Sequence, residues 1–101
     1  MVRMSVMYPR QDNKRFDWEY YMKKHLPLVK EKVQPLSVEV DRGIPDDKGR
    51  PSPYIAVGQL TFRSLEELKA RWGTAARELA PDMANYTDIV PVAQLSEVSS
   101  V

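Results

Sequence analysis

The sequence predicts one α+β domain in which strands and helices follow the order β-α-β-β-α-β. Apolar side chains alternate with a period of two in four segments, and they recur at helical spacing in two others. The length of 101 residues places residues 1–101 in a single domain, because domains cluster at about 100–150 residues. A chain of this size buries only about 60–65% of its unfolded surface. We therefore expect one modest core, which could hardly support a large cavity by itself.

The first part of the chain is predicted to form a strand and a helix. The strand covers residues 2–8 and ends at Pro9, which cannot donate to a sheet ladder. The helix runs from Asp17, its predicted N-cap, to Val33, and we expect a kink or restart at Pro27. Its predicted apolar face consists of Trp18, Tyr21, Met22, His25, Leu26, Val29 and Val33.

The rest of the chain supplies three more strands and a second helix. Alternating apolar positions predict strands over residues 36–42, 54–62 and 89–98. A loop rich in proline and glycine joins the first two of these strands. Ser64 and Glu67 have the spacing of a capping box, which predicts the start of the second helix. We expect that helix to end before Pro81.

This order of elements is the split-βαβ, or ferredoxin-like, arrangement, a four-stranded antiparallel sheet with both helices on one face. Apolar residues occupy alternate positions on both sides of the strands, because Leu60 and Phe62 compete with Ile55 and Val57 for the helix side. Two helices can cover only one face of such a sheet. The pattern therefore predicts that a second subunit covers the other face, in a homodimer.

The composition narrows the possible partners and chemistry. A formal net charge of +1 argues against a nucleic-acid partner. The absence of cysteine excludes disulfides, thiolate nucleophiles and iron–sulfur clusters, and one histidine cannot form a multi-histidine metal site. Neither a glycine-rich nucleotide-binding motif nor a nucleophile elbow occurs. We predict no cofactor and no metal. No segment approaches the ~20 apolar residues of a membrane span, so we expect no membrane contact and a cytoplasmic location.

His25 is the candidate for proton transfer, because histidine is the side-chain type that changes charge near neutral pH. It shares a helix face with Tyr21 and Trp18, at offsets of four and seven residues. These aromatic residues are equally consistent with an ordinary core. His25 itself could bind a backbone carbonyl, or it could project into a pocket between helix and sheet and move a proton there. Space left by a kink at Pro27 favours the pocket.

Further pocket candidates lie at the ends of strands. Asn85, Tyr86 and Asp88 precede the last strand and would place an amide, a phenol and a carboxylate at its entrance. The alternative for these residues is a polar turn held by local hydrogen bonds. Tyr8 and Tyr54, at the end of one strand and the start of another, would line the mouth of the same pocket.

Residues 16–28 carry the pattern Phe-Asp, Tyr-Tyr and His-x-Pro-Leu, and residues 85–88 read Asn-Tyr-Thr-Asp. In these segments the sequence resembles the EthD family, named for a protein encoded with an ether-degrading cytochrome P450 system. The resemblance covers nearly the whole chain. It implies a dimeric α/β barrel in which two ferredoxin-like protomers pack sheet to sheet. It also implies that His25 and Tyr21 are pocket residues and that residues 85–88 form a second wall.

These observations lead to three hypotheses. The first is an enzyme of oxidoreductase, isomerase or cofactor-free monooxygenase type that acts in catabolism or secondary metabolism on a small, partly apolar, oxygenated molecule. His25 would be its general acid or base, and one of Tyr21, Tyr86 and Asn85 would orient or stabilise an enolate-like oxygen of the substrate. The second is a non-catalytic metabolite-binding protein or an accessory protein of an oxygenase system. The third is a haem-binding protein with His25 as the iron ligand.

Overall fold

The computed structural model describes residues 1–101 and has the predicted order of elements. The strands are β1 (Val2–Pro9), β2 (Ser37–Arg42), β3 (Tyr54–Phe62) and β4 (Val92–Glu97). The first helix, α1, consists of three consecutive segments: α-helical Trp18–Tyr20, π-helical Tyr21–His25 and α-helical Leu26–Val33. The second helix, α2, spans Leu65–Asp82 and is followed by a 3-10 turn over Met83–Asn85.

The four strands form one antiparallel sheet in the order β2-β3-β1-β4, which confirms the predicted α+β, ferredoxin-like fold. β1 and β3 occupy the centre, paired from Val2 opposite Phe62 to Tyr8 opposite Ala56. Because side chains alternate between the faces of a sheet, the even-numbered positions of both strands point toward the helices. The most buried of them are Met4, Tyr8, Ala56, Leu60 and Phe62.

The open face of the sheet, away from the helices, is less apolar than predicted. Its apolar side chains lie together at one end, where strand pairing aligns Met7, Val57 and Val92. Elsewhere the face is polar: the Ser5 hydroxyl donates to the Gln59 side chain, whose amide donates to Asp41, both at 2.9 Å. The odd-numbered positions of the central strands are thus apolar at one end of the sheet and polar at the other, and only one end of this face is an apolar patch.

Helix α1 begins as predicted and then departs from regular geometry. Asp17 is its N-cap, with a side-chain oxygen accepting the backbone N–H of Tyr20 at 3.1 Å. The chain stays helical through Pro27, and the irregularity is a π turn that ends just before Leu26. Pro27 lies inside this continuous helix, and its missing N–H falls directly after the π turn, where the regular α-helical hydrogen bonds are already interrupted.

Helix α2 starts at the predicted cap but ends later than predicted. The Ser64 hydroxyl accepts the backbone N–H of Glu67 at 3.1 Å. The reciprocal half of the capping box is absent, because the Glu67 carboxylate pairs instead with Arg71 at 3.6 Å. The prediction that the helix ends before Pro81 is wrong: the helix continues to Asp82. Pro81 is exposed in the final turn, where losing one hydrogen bond interrupts little.

The sequence predicts that the last strand covers residues 89–98, but the strand begins at Val92 and ends at Glu97. Pro91 lacks the N–H that would extend the ladder. Ile89 is instead a buried core residue, and Thr87 forms an isolated bridge with Phe16.

The core consists of two clusters of buried side chains. The larger contains Met4, Val29, Val33, Leu60, Phe62, Leu68, Ala75 and Leu79. The smaller is mainly aromatic and contains Tyr8, Tyr21, Leu26, Ala56, Tyr86 and Ile89. Residues of both clusters line a cavity between the helices and the sheet.

Candidate functional site

A cavity of about 190 Å³ lies between the helices and the sheet. Hydrophobic residues make up 14 of the 17 that line it, so its walls are mainly apolar. Its polar groups are the imidazole of His25, the indole of Trp72 and the hydroxyls of Tyr8, Tyr21 and Tyr86. No lysine, arginine or carboxylate lines the cavity. The cavity therefore combines an apolar body with one polar end.

His25 supplies the group at this polar end that can move a proton. The residue is only 7% exposed, and its Nδ1 lies 2.9 Å from Oδ2 of Asp82. An ionised carboxylate can only accept a hydrogen bond, so a neutral imidazole carries its proton on Nδ1. Nε2 forms no hydrogen bond within the protein. Its lone pair is therefore available to a molecule in the cavity.

Asp82 is held by three donors. Its Oδ1 accepts the Tyr20 hydroxyl at 2.6 Å and the Asn85 side-chain amide at 3.0 Å, while Oδ2 accepts from His25. Burial raises the pKa of Asp82, but the hydrogen bonds from Tyr20, His25 and Asn85 outweigh burial and hold the pKa below its ordinary value. The hydrogen bond that Tyr20 donates to Asp82 also raises the pKa of the Tyr20 hydroxyl. Asp82 is therefore an ionised, fixed partner for the imidazole.

The three tyrosines of the cavity are protonated phenols at neutral pH. Burial raises the pKa of Tyr8, Tyr21 and Tyr86 above the ordinary value. The hydroxyls of Tyr8 and Tyr86 lie 2.7 Å apart and share a hydrogen bond. The Tyr21 hydroxyl forms no hydrogen bond within the protein, so it remains a free donor.

The π turn of α1 directs Tyr21 and His25 into the same cavity. The backbone N–H of Leu26 donates to the carbonyl of Tyr21, five residues earlier. On a regular α-helix, residues five apart lie about 140° from each other around the axis, whereas here Tyr21, His25 and Leu26 are all buried. Met22, predicted on the apolar face, is 49% exposed because the wider turn directs it outward. The Tyr21 and His25 rings stack with centroids 5.8 Å apart.

Gly58 on β3 gives Tyr21 the room it needs. A Cβ atom at this position would lie 2.7 Å from the Tyr21 hydroxyl oxygen. Glycine within a strand commonly marks such a close approach. Gly58 thus allows the phenol to reach across the cavity to the sheet.

Five of the eight predicted site residues belong to this region. His25, Tyr8, Tyr21 and Tyr86 line the cavity. Asn85 lies behind it, with its amide bound to Asp82.

The other three predicted residues lie outside the cavity. The ring of Trp18 packs against Phe16 and beneath the Arg42 guanidinium, 4.6 Å from the ring centroid. Tyr54 is exposed at the start of β3. Asp88 is exposed and pairs with Arg15 at 3.4 Å.

Sequence reasoning missed Asp82 and Tyr20. Asp82 follows Pro81, and the sequence pattern ends the helix before that proline, which leaves Asp82 outside the predicted helix. The sequence contains one indication of its role, because an acidic side chain in the last turn of a helix opposes the helix dipole and needs a specific partner. That partner is His25.

Replacing Asp82 with asparagine tests this arrangement. The folded-state pKa of Asp82 is lowered, so its contribution to stability is present above about pH 4 and is lost as the pH falls through the folded-state pKa. We expect Asp82→Asn to reduce the free energy of unfolding at pH 7 by about 1–3 kcal/mol. The difference from the unmodified protein should shrink at lower pH. Urea unfolding at about five pH values between pH 2.5 and pH 7 measures this difference in the free energy of unfolding. Asp47→Asn is the control, because Asp47 is exposed.

The EthD domain model matches residues 11–89 of the chain, a range that contains both His25 and Asp82. The chain belongs to the EthD family. A crystal structure of an EthD-like protein from Ralstonia eutropha JMP134 superposes with a TM-score of 0.92 at 34% sequence identity, over 98% of this chain and 92% of that one. An EthD family protein from Bacillus halodurans C-125 shares the fold, with a TM-score of 0.79 at 17% identity over 98% and 99% of the two chains. A search of curated proteins found no match.

Membership in the EthD family agrees with the resemblance seen in residues 16–28 and 85–88. No helix of this EthD domain is long and apolar enough to cross a membrane. Its His, Asp and Glu side chains form no group of three or more that could hold a metal ion. The polar end of the cavity contains an imidazole and phenols, with one carboxylate behind them.

Proposed function

We propose that this EthD domain binds a small, mainly apolar, oxygenated molecule in the cavity and moves a proton on it through His25. The observation that carries the proposal is the free Nε2 of a buried imidazole whose Nδ1 is held 2.9 Å from Asp82. In this tautomer Nε2 can take a proton, and the carboxylate stabilises the imidazolium that forms. His25 would thus be the general base, and Asp82 its positioning residue.

Tyr21 has the second role in this proposal. Its hydroxyl is a free donor beside His25 and would stabilise negative charge that develops on the substrate oxygen. The scarcity of polar groups in the walls strengthens such an interaction. For a substrate whose anion reacts with O₂, the same proton removal would begin a cofactor-free oxidation, which is the oxidoreductase-type role in catabolism that we favour.

The test is proton exchange in D₂O, followed by NMR over a panel of small phenols, cyclic ketones and lactones. We expect the protein to accelerate deuterium incorporation at an acidic C–H position of at least one compound. Met22→Ala serves as the matched control, because Met22 lies on the same helix but is exposed. Absence of acceleration for the whole panel would contradict the catalytic proposal.

Binding without catalysis is the second candidate, as a metabolite carrier or an accessory protein of an oxygenase system. The mainly apolar walls and the protonated phenols support it, because they suffice to hold a ligand without any proton transfer. A small molecule that copurifies with the protein and stays unchanged in air would favour this role over the enzyme.

Haem binding through His25 does not fit the cavity. The imidazole could serve as an iron ligand, but a volume of about 190 Å³ is below the roughly 300–1,000 Å³ of pockets for drug-sized ligands. A haem is larger than most such ligands. The volume of the cavity therefore does not support a haem-binding function.

We also propose a homodimer formed through the open face of the sheet. The apolar patch of Met7, Val57 and Val92 on that face supports this, and Val92 on the edge strand β4 is 49% exposed. Light scattering at micromolar concentration should give twice the mass of the chain. Val57→Lys should yield a folded monomer, because it places a charge in the patch. A monomeric unmodified protein would contradict this arrangement.

A further inference from the structure

The cavity presents two polar groups that the protein leaves unpaired. Nε2 of His25 is an acceptor, since Nδ1 donates to Asp82. The Tyr21 hydroxyl is a donor with no internal partner, whereas the hydroxyls of Tyr8 and Tyr86 bind each other at 2.7 Å. A ligand hydroxyl satisfies both free groups, because it can donate to the imidazole and accept from the phenol. A carbonyl oxygen can only accept and would leave Nε2 unpaired.

The size of the cavity limits the ligand to one ring. An apolar cavity of about 150 Å³ can hold a benzene molecule, and this one measures about 190 Å³. It therefore accommodates a single six-membered ring with a short substituent. Tyr8 and Tyr86 stand nearly edge to face, with centroids 6.1 Å apart at 70°. Such aromatic walls favour an aromatic ring packed against them.

The charges around the cavity select a neutral ligand. No cationic side chain lines the walls, and the carboxylate of Asp82 lies directly behind His25. An anion entering this space would lose its hydration without gaining a counter-charge, and it would be repelled by Asp82.

We infer that the ligand of this cavity is an uncharged single-ring phenol with a short apolar substituent. Its hydroxyl meets His25 and Tyr21, and its substituent extends toward Leu60, Trp72 and Leu79. This inference rests on the proposed function and names its substrate class, because transfer of the O–H proton to Nε2 leaves a phenolate, whose ring C–H positions next to the oxygen are the ones that exchange in D₂O.

Isothermal titration calorimetry at neutral pH with three probes of similar shape tests the inference. The probes are para-ethylphenol, ethylbenzene and the anion para-ethylbenzoate. We expect para-ethylphenol to bind about 10-fold more tightly than ethylbenzene, through its hydrogen bonds. It should bind at least ~100-fold more tightly than para-ethylbenzoate, which brings an unpaired charge into the cavity.

Tyr21→Phe separates the hydrogen bond from general packing. This variant should weaken binding of para-ethylphenol about 3–10-fold and leave ethylbenzene unaffected, whereas Met22→Ala should change neither. Equal or tighter binding of para-ethylbenzoate, the same loss for both neutral probes, or no binding of the phenol would each overturn the inference.

The binding experiment and the proton-exchange experiment can fail independently, so a wrong ligand class can be distinguished from a wrong function. If the phenol fails to bind but His25-dependent exchange occurs on another compound of the panel, the proposed function stands and only the substrate class is wrong. If the phenol binds as expected and no exchange depends on His25, the ligand class stands and the protein is a carrier.

Discussion

Replacing His25 with alanine is expected to lower the rate of proton exchange on a bound substrate by ~100-fold or more, because general acid–base catalysis contributes that much. The variant should still fold. Asp82 keeps the Tyr20 hydroxyl and the Asn85 amide as donors when the imidazole is removed. Its carboxylate therefore does not lose every partner, and the loss of stability should be modest. Exchange followed by NMR and a thermal melt of the same sample measure both effects.

Two further variants, Met22→Ala and Asp82→Asn, are compared with His25→Ala in this experiment. Met22→Ala changes an exposed residue of the same π turn and should retain full activity. Asp82→Asn keeps the shape of the positioning residue but removes its charge, so it should reduce exchange less than His25→Ala does. A His25→Ala protein that exchanges at the unmodified rate would exclude the imidazole from the reaction.

Phe62→Ala is expected to cause the largest loss of stability, about 3–5 kcal/mol in the free energy of unfolding. Phe62 is 0% exposed at the end of β3 and belongs to the larger core cluster. Truncation would remove buried apolar surface and leave a void between the sheet and α2. The measurement is urea unfolding at neutral pH.

Leu65→Ala is the matched control for this prediction. Leu65 is 41% exposed at the start of α2, so its truncation should change the free energy of unfolding by only about 0.5 kcal/mol. Phe62 does not line the cavity, and its loss should leave ligand binding by the folded protein unchanged. A loss below about 1.5 kcal/mol for Phe62→Ala would show that the larger cluster can collapse around the missing ring.

The fold could be predicted from the sequence where local chemistry decides it. The alternation in β3 reproduces its bounds, and the caps at Asp17 and Ser64 both form as expected. The end of α2 could not be predicted, because Pro81 lies on the solvent side and Asp82 is held by residues of α1. Such support comes from tertiary contacts, which no local pattern contains.

The candidate site could be predicted in part for the same reason. Tyr21 and His25 share a helix face in the sequence, and they share the cavity in the structure. Asp82 is 57 positions from His25 along the chain, so their hydrogen bond depends entirely on how α1 and α2 pack. Trp18 is close to these residues in sequence, but the path of the helix turns its ring toward Arg42.

The π turn of α1 makes the site depend on the number of residues between two side chains as much as on their identity. Deleting one exposed residue such as Lys23 would allow a regular α-helical turn. Tyr21 and His25 would then be three residues apart, about 60° around the axis of a regular α-helix, and their rings would no longer stack as they do here. All the residues of the proposed site would still be present in the chain, and the composition of the core would be unchanged. In evolutionary terms, the loss of a single codon would disrupt the proposed site and leave the fold in place.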